Sequence, residues 1–103
     1  MFIMVGVEID MVVTDSLKAL ALYEKIFDIK CVEVSDFPKS ENEVIFTLYG
    51  VRFYMLDENP RFGLAAPNPD KPNTIWFNIS VPDIKETFSK AISAGCTEVQ
   101  PVV

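Results

Sequence analysis

The chain contains no histidine, and that absence removes a large share of protein chemistry at once. Histidine-based triads, Cys–His dyads and imidazole general bases are all excluded within it. Cysteine is almost as scarce. Cys31 and Cys96 each open a short apolar run, and neither lies in a Cys-x-x-Cys or other metal-like spacing. They read as two buried reduced thiols, because unpaired cysteine is among the most buried residue types. A disulfide or redox pair is the alternative. Basic residues are also few, nine Lys and Arg against fifteen Asp and Glu, giving a net charge of −6 with no basic cluster. A nucleic-acid partner is therefore not expected. Long apolar runs are missing too: the first is interrupted by Glu8 and Asp10, too early and too acidic for a membrane span, and no signal-peptide pattern precedes it. The expectation is a cytoplasmic protein without a membrane partner.

What is present is core-forming material. Half of the 103 residues are hydrophobic and only 23% are charged, far from the composition of a disordered chain. The length suits one compact domain or a fragment of a larger one.

Period-2 alternation marks the first element. From Phe2 to Val13 the odd positions Ile3, Val5, Val7, Ile9, Met11 and Val13 are apolar, while the even ones include Gly6, Glu8 and Asp10. This is a strand with one face on a core and one more open. Thr14-Asp15-Ser16 supplies N-cap chemistry for a helix from Leu17 to Phe27, whose Leu20, Tyr23 and Phe27 form an apolar stripe. The helix should stop near Asp28, and Cys31 to Val34 reads as a second strand. Val44 to Tyr49 and Val51 to Leu56 flank Gly50 as a hairpin or two adjoining strands. Asp57 to Asn73 holds Pro60, Pro67, Pro69 and Pro72, a density that predicts an extended linker. Thr74 to Val81 alternates again, with Ile75, Phe77, Ile79 and Val81 against Trp76, Asn78 and Ser80. Asp83 and Glu86 have capping-box spacing before a helix that runs to Ala94, and Gly95 supplies a left-handed stop. Thr97 to Val99 predicts a last strand.

The two halves echo each other. Val13-Thr14-Asp15 corresponds to Val81-Pro82-Asp83, 68 residues on, and Cys31-Val32-Glu33-Val34 to Cys96-Thr97-Glu98-Val99, 65 residues on. The first offset is even, so strand parity is kept and Glu8 corresponds to Trp76, Asp10 to Asn78. Duplication explains this match; two ordinary strand–helix–strand units with similar caps are the alternative. The first copy, residues 1–57, reads β-α-β-β-β. After a linker over 58–73, residues 74–103 read β-α-β as the start of a second copy within the same domain, so the fold class is α+β with an incomplete second module.

Strand, Val-x-Asp, a helix carrying Leu22-Tyr23-Glu24-Lys25 and a strand opening on Lys30-Cys31 together resemble the first module of the glyoxalase/bleomycin-resistance (vicinal oxygen chelate) superfamily. Val81-Pro82-Asp83 and the helix end Ala94-Gly95 resemble the start of its second. The resemblance implies paired βαβββ modules whose sheets enclose a cleft, with helices on the outer faces. Metal-dependent members carry ligands on the first and fourth strands of each module, the first-strand ligand seven residues before the helix-opening Asp. That rule lands on Glu8 and Trp76, and the fourth-strand position falls near Met55. One plausible ligand is not a metal site, even with Asp10 beside it, so neither metal nor cofactor is expected. Asp28 stands where the family usually has glycine; it should tolerate the left-handed turn.

Glu8, Asp10, Met55, Trp76 and Asn78 are thus the candidate ligand-binding residues of the cleft face. Glu8 and Asp10 read either as an acid/base pair, one pKa raised by the other, or as solvated carboxylates paired to Lys or Arg. Trp76 and Asn78 offer an aromatic wall and an amide, or ordinary core packing. Arg52 and Tyr54 are candidates for an anion, or surface residues. Three functions follow: a metal-free protein that binds a small molecule; an isomerase, lyase or dioxygenase whose site is completed elsewhere; or a structural module with a vestigial cleft. An unfinished sheet edge near Cys96 to Val99 predicts a homodimer.

Overall fold

A computed structural model describes residues 5–72 and 74–102. Strand β1 (Glu8–Val13) leads into helix α1 (Ser16–Ile26), followed by β2 (Ile29–Val34), β3 (Glu43–Leu48) and β4 (Val51–Asp57). A short 3-10 turn (Pro60–Phe62) and helix α2 (Ile84–Ser93) come next. The strands form one mixed sheet in the order β1-β4-β3-β2. β1 runs parallel to β4, whereas β3 is antiparallel to both β4 and β2. The molecule is a small α+β protein, and among the described residues no helix is long and apolar enough to cross a membrane.

Local chemistry sets the boundaries. The carboxylate of Asp15 accepts from the Lys18 amide at 3.1 Å and opens α1; 68 residues later Asp83 accepts from the Glu86 amide, also at 3.1 Å, and opens α2. Each cap satisfies one of the N–H groups a helix start leaves without a partner. Gly95, at φ 103°, follows α2 as its left-handed stop. The end of α1 differs from expectation. Phe27 turns extended (φ −121°) while its N–H still reaches the Tyr23 carbonyl at 2.8 Å, and Asp28 is not in the left-handed region. The helix therefore ends without the glycine-type turn. Between β3 and β4, Tyr49 and Gly50 both have positive φ (48° and 84°), the two-residue turn whose twist matches that of a hairpin. This turn fixes the register that pairs Leu48 with Val51 and Glu43 with Leu56.

The core lies between the sheet and α1. Val44, Phe46, Leu48, Phe53 and Met55 meet Leu20, and Ile9, Met11, Val13, Leu17, Tyr23 and Phe27 pack around them. Phe46 stacks on Phe53 with centroids 5.1 Å apart. Side chains of the size of Phe46, Met55 and Val44, all fully buried, each contribute about 1.5–3 kcal/mol of transfer free energy.

The remainder departs from the expected pattern. β1 is paired only from Glu8, because β4 offers partners from Arg52 onward; Val5 and Val7 are exposed, and residues 1–4 of the expected strand lie outside the described residues. Neither 74–81 nor 97–99 forms a strand. A helix closes its hydrogen bonds internally, so α2 forms, but a strand needs a neighbour and none is offered. Among the described elements, α2 packs against α1 alone. The proline-rich stretch also folds in part: Asn59 and Leu64 exchange backbone hydrogen bonds of 2.9 and 3.1 Å around the 3-10 turn. Cys31 is exposed on edge strand β2 rather than buried, and Cys96 is half-buried.

Candidate functional site

Parity along β1 and β4 divides the sheet into two chemically distinct faces. Ile9, Met11, Val13, Phe53 and Met55 turn toward α1. Glu8 and Asp10 alternate with them and pair laterally with Arg52 and Tyr54 on the opposite, uncovered face. On that face the Arg52 Nε donates to Glu8 Oε2 at 2.6 Å. The Tyr54 hydroxyl donates to the carboxylate of Glu43, one strand over.

These contacts set the charge states. The hydrogen bond from the Arg52 guanidinium holds the Glu8 carboxyl below its ordinary range, helped by the neighbouring Asp10 carboxyl. The neighbouring Glu8 carboxyl pushes Asp10 upward, and desolvation adds to it. Tyr54 is raised to about 12, first by its bond to Glu43 and then by desolvation and nearby negative charge, so its hydroxyl remains a donor throughout the neutral range. The face thus offers carboxylate acceptors, one guanidinium and one phenol in a row.

At its far end this row runs into a cavity of about 410 Å³, where Glu43 and Leu56 meet the loops on either side. Beneath it lies Asp57, 3% exposed. Its Oδ1 accepts from the amide and hydroxyl of Ser16, both at 2.7 Å, and its Oδ2 accepts from the amides of Ser40 and Asn42, both at 3.1 Å. Burial alone would push the Asp57 carboxyl up, but these bonds together outweigh it and hold it below the usual carboxylate range. One side chain thereby ties the start of α1 to the loop between β2 and β3.

The five residues expected to share a cleft are not brought together. Glu8 and Asp10 stand side by side on the uncovered face. Met55 is fully buried on the α1 side. Counted from the Tyr49-Gly50 turn, Val51, Phe53, Met55 and Asp57 share one face, so the outward positions of β4 are Arg52, Tyr54 and Leu56. Trp76 is 80% exposed and not part of a core. Phe77 meets Phe53 edge-on at 5.4 Å, and Ile79 joins the packing on the α1 side. Trp76 and Asn78 consequently line a separate groove of about 400 Å³ with Ile9, Leu48 and Val51. Glu43, Phe37 and Phe62 were not singled out from sequence. The register imposed by Gly50 was a signal for Glu43; the other two lie in irregular backbone and carried none.

The residues present do not fit the metal site that the resemblance implies. Glu8 is already engaged by Arg52, Met55 is on the wrong face, and Trp76 is far along the chain on another surface. Among the described residues no three His, Cys, Asp or Glu side chains are grouped to hold a metal ion. No protein-family model, no curated protein and no solved structure matches this chain.

Proposed function

We infer that this chain is a small-molecule-binding module of the glyoxalase/bleomycin-resistance type, working in the cytoplasm without a metal. Its ligand lies against the uncovered face of the sheet. The observation that carries the reading is the β-α-β-β-β order closed as β1-β4-β3-β2, with α1 over one face and a row of polar side chains on the other. A strand face buried on one side and lined by Glu8, Asp10, Arg52, Tyr54 and Glu43 on the other supplies the few convergent polar groups of a ligand site. In the paired arrangement that the resemblance implies, a second sheet closes the cleft. One copy of this chain brings one four-stranded sheet, so a second copy supplies the other and the protein is a homodimer. Among the described residues the outer edge of β1 has no partner strand within the sheet, and it is the place for that contact.

A fragment screen read by amide chemical shifts tests the proposal. Binders should move the signals of Asp10, Arg52, Tyr54 and Glu43 and leave those of Val44, Phe46 and Met55, on the α1 side, in place. Binders that move only the groove beside Trp76, or a library without any binder, would count against it.

A further inference from the structure

Phe37, in the loop between β2 and β3, is 59% exposed, and Phe62, in the 3-10 turn, is 69% exposed. Both rings line the cavity of about 410 Å³ at the end of the uncovered face, with Leu56, Leu64, Glu41 and Glu43. That volume falls in the range of about 300–1,000 Å³ usual for small-ligand sites.

The backbone under both rings is pinned. Asn42 Oδ1 accepts from the Phe37 amide at 2.8 Å, and Asn42 Nδ2 donates to the Phe37 carbonyl at 2.9 Å. Asn59 caps the 3-10 turn, and its Nδ2 donates to the Ser40 carbonyl at 2.9 Å, joining the two loops. Below them Asp57 holds Ser40 and Asn42. A single exposed phenylalanine needs no explanation. Two held open over one cavity by a fixed hydrogen-bonded frame form a prearranged lining, which lowers the ordering cost of binding.

Among the described residues the charged side chains that line the cavity are all carboxylates, and Arg61, next to it, is laid against the Phe62 ring. No Lys or Arg among the described residues lines it; Glu41 and Glu43 do, and the oxygens of Asp57 are occupied by Ser16, Ser40 and Asn42. The faces of aromatic rings carry negative quadrupole potential and attract cations. Phe62 demonstrates this within the chain, since the Arg61 guanidinium carbon lies 5.8 Å from its ring centroid.

We propose that this cavity binds an organic cation, an ammonium group on an apolar body, between Phe37, Phe62 and the carboxylates of Glu41 and Glu43. The inference deepens the small-molecule reading and rests on it. The full chain, isotopically labelled, is titrated at constant ionic strength with benzyltrimethylammonium, benzyl alcohol and benzoate. The ammonium probe should shift the amides of Phe37, Glu41, Phe62 and Leu64 and bind at least several-fold more tightly than the other two. Phe62→Leu and Glu41→Gln should each weaken it about three- to five-fold, as expected for loss of an exposed cation–π or charge contact. Both residues are exposed, so an unchanged amide spectrum elsewhere establishes that each variant is folded. Equal binding of all three probes at the cavity overturns the cation inference and leaves the broader reading in place. Binding of none of them overturns the inference as well, and the fragment screen then decides the broader reading by itself.

Discussion

Replacing Asp57 by Asn should destabilise the fold well beyond a surface substitution, although the two side chains have nearly the same shape. The aspartate accepts four hydrogen bonds while almost fully buried. Asparagine keeps one acceptor oxygen, enough for the amide and hydroxyl of Ser16. Its NH₂ group then faces the amides of Ser40 and Asn42, donor against donor. Two protein N–H groups left without an acceptor, at about 1–2 kcal/mol each, give about 2–4 kcal/mol. With a urea slope of about 1.5 kcal/mol/M, the unfolding midpoint should fall by about 1.3–2.7 M. The effect should depend on pH in a defined direction. The folded pKa of Asp57 is depressed, so its contribution is complete above the unfolded value of about 3.9 and is lost as pH falls through the lower folded value. The gap between the two proteins should therefore be constant above about pH 5 and close in strong acid. Asp36→Asn, an exposed change in the same loop, should change the stability by less than about 0.5 kcal/mol. An Asp57→Asn protein as stable as its parent at pH 7, or a gap unchanged between pH 7 and pH 2, would show that the Asp57 carboxylate does not hold these segments together.

Other perturbations have equally definite outcomes. Gly50→Ala should cost about 1–2 kcal/mol in urea unfolding, because φ 84° suits no residue with a Cβ; Tyr49→Asn should be neutral or stabilising, asparagine being at home in that turn. Trp76→Phe should change stability by less than about 0.5 kcal/mol, the value for surface sites, and the parent indole should be fully quenched by acrylamide. Glu8→Gln should lower the Asp10 pKa toward its ordinary range, followed by carbon NMR of the carboxyl, since Glu8 is the principal cause of its elevation. An Asp10 titration unaltered by that substitution would mean that the Glu8 carboxyl is not what raises it.

The first half of the chain was legible because its signals are local. Alternation from Ile9 to Val13 placed the α1 face, Asp15 and Asp83 marked both helix starts to within a residue, and Gly50 located the hairpin turn. Glu8 and Asp10 were assigned to the uncovered face by the same parity. Met55 was misplaced because a rule of position along β4 was used where counting from the turn decides the face. The apolar alternation of 74–81 was real, but a strand is defined by its neighbour, and the sequence does not state whether that neighbour exists. Asp57 and the Phe37/Phe62 cavity were invisible for a related reason. Their partners come from Ser16, Ser40, Asn42 and Asn59, in segments with no periodicity to read.

We propose that the face of the sheet opposite α1 is where this protein meets its ligand. Amide shift mapping of the labelled chain against a fragment library, with the hits ranked by residue, addresses it most directly. The perturbed signals should trace Asp10, Arg52, Tyr54 and Glu43 and continue into the cavity at Phe37 and Phe62, while Val44, Phe46 and Met55 stay fixed. Hits confined to the Trp76 groove, with the β1 and β4 outward positions unmoved, would contradict it.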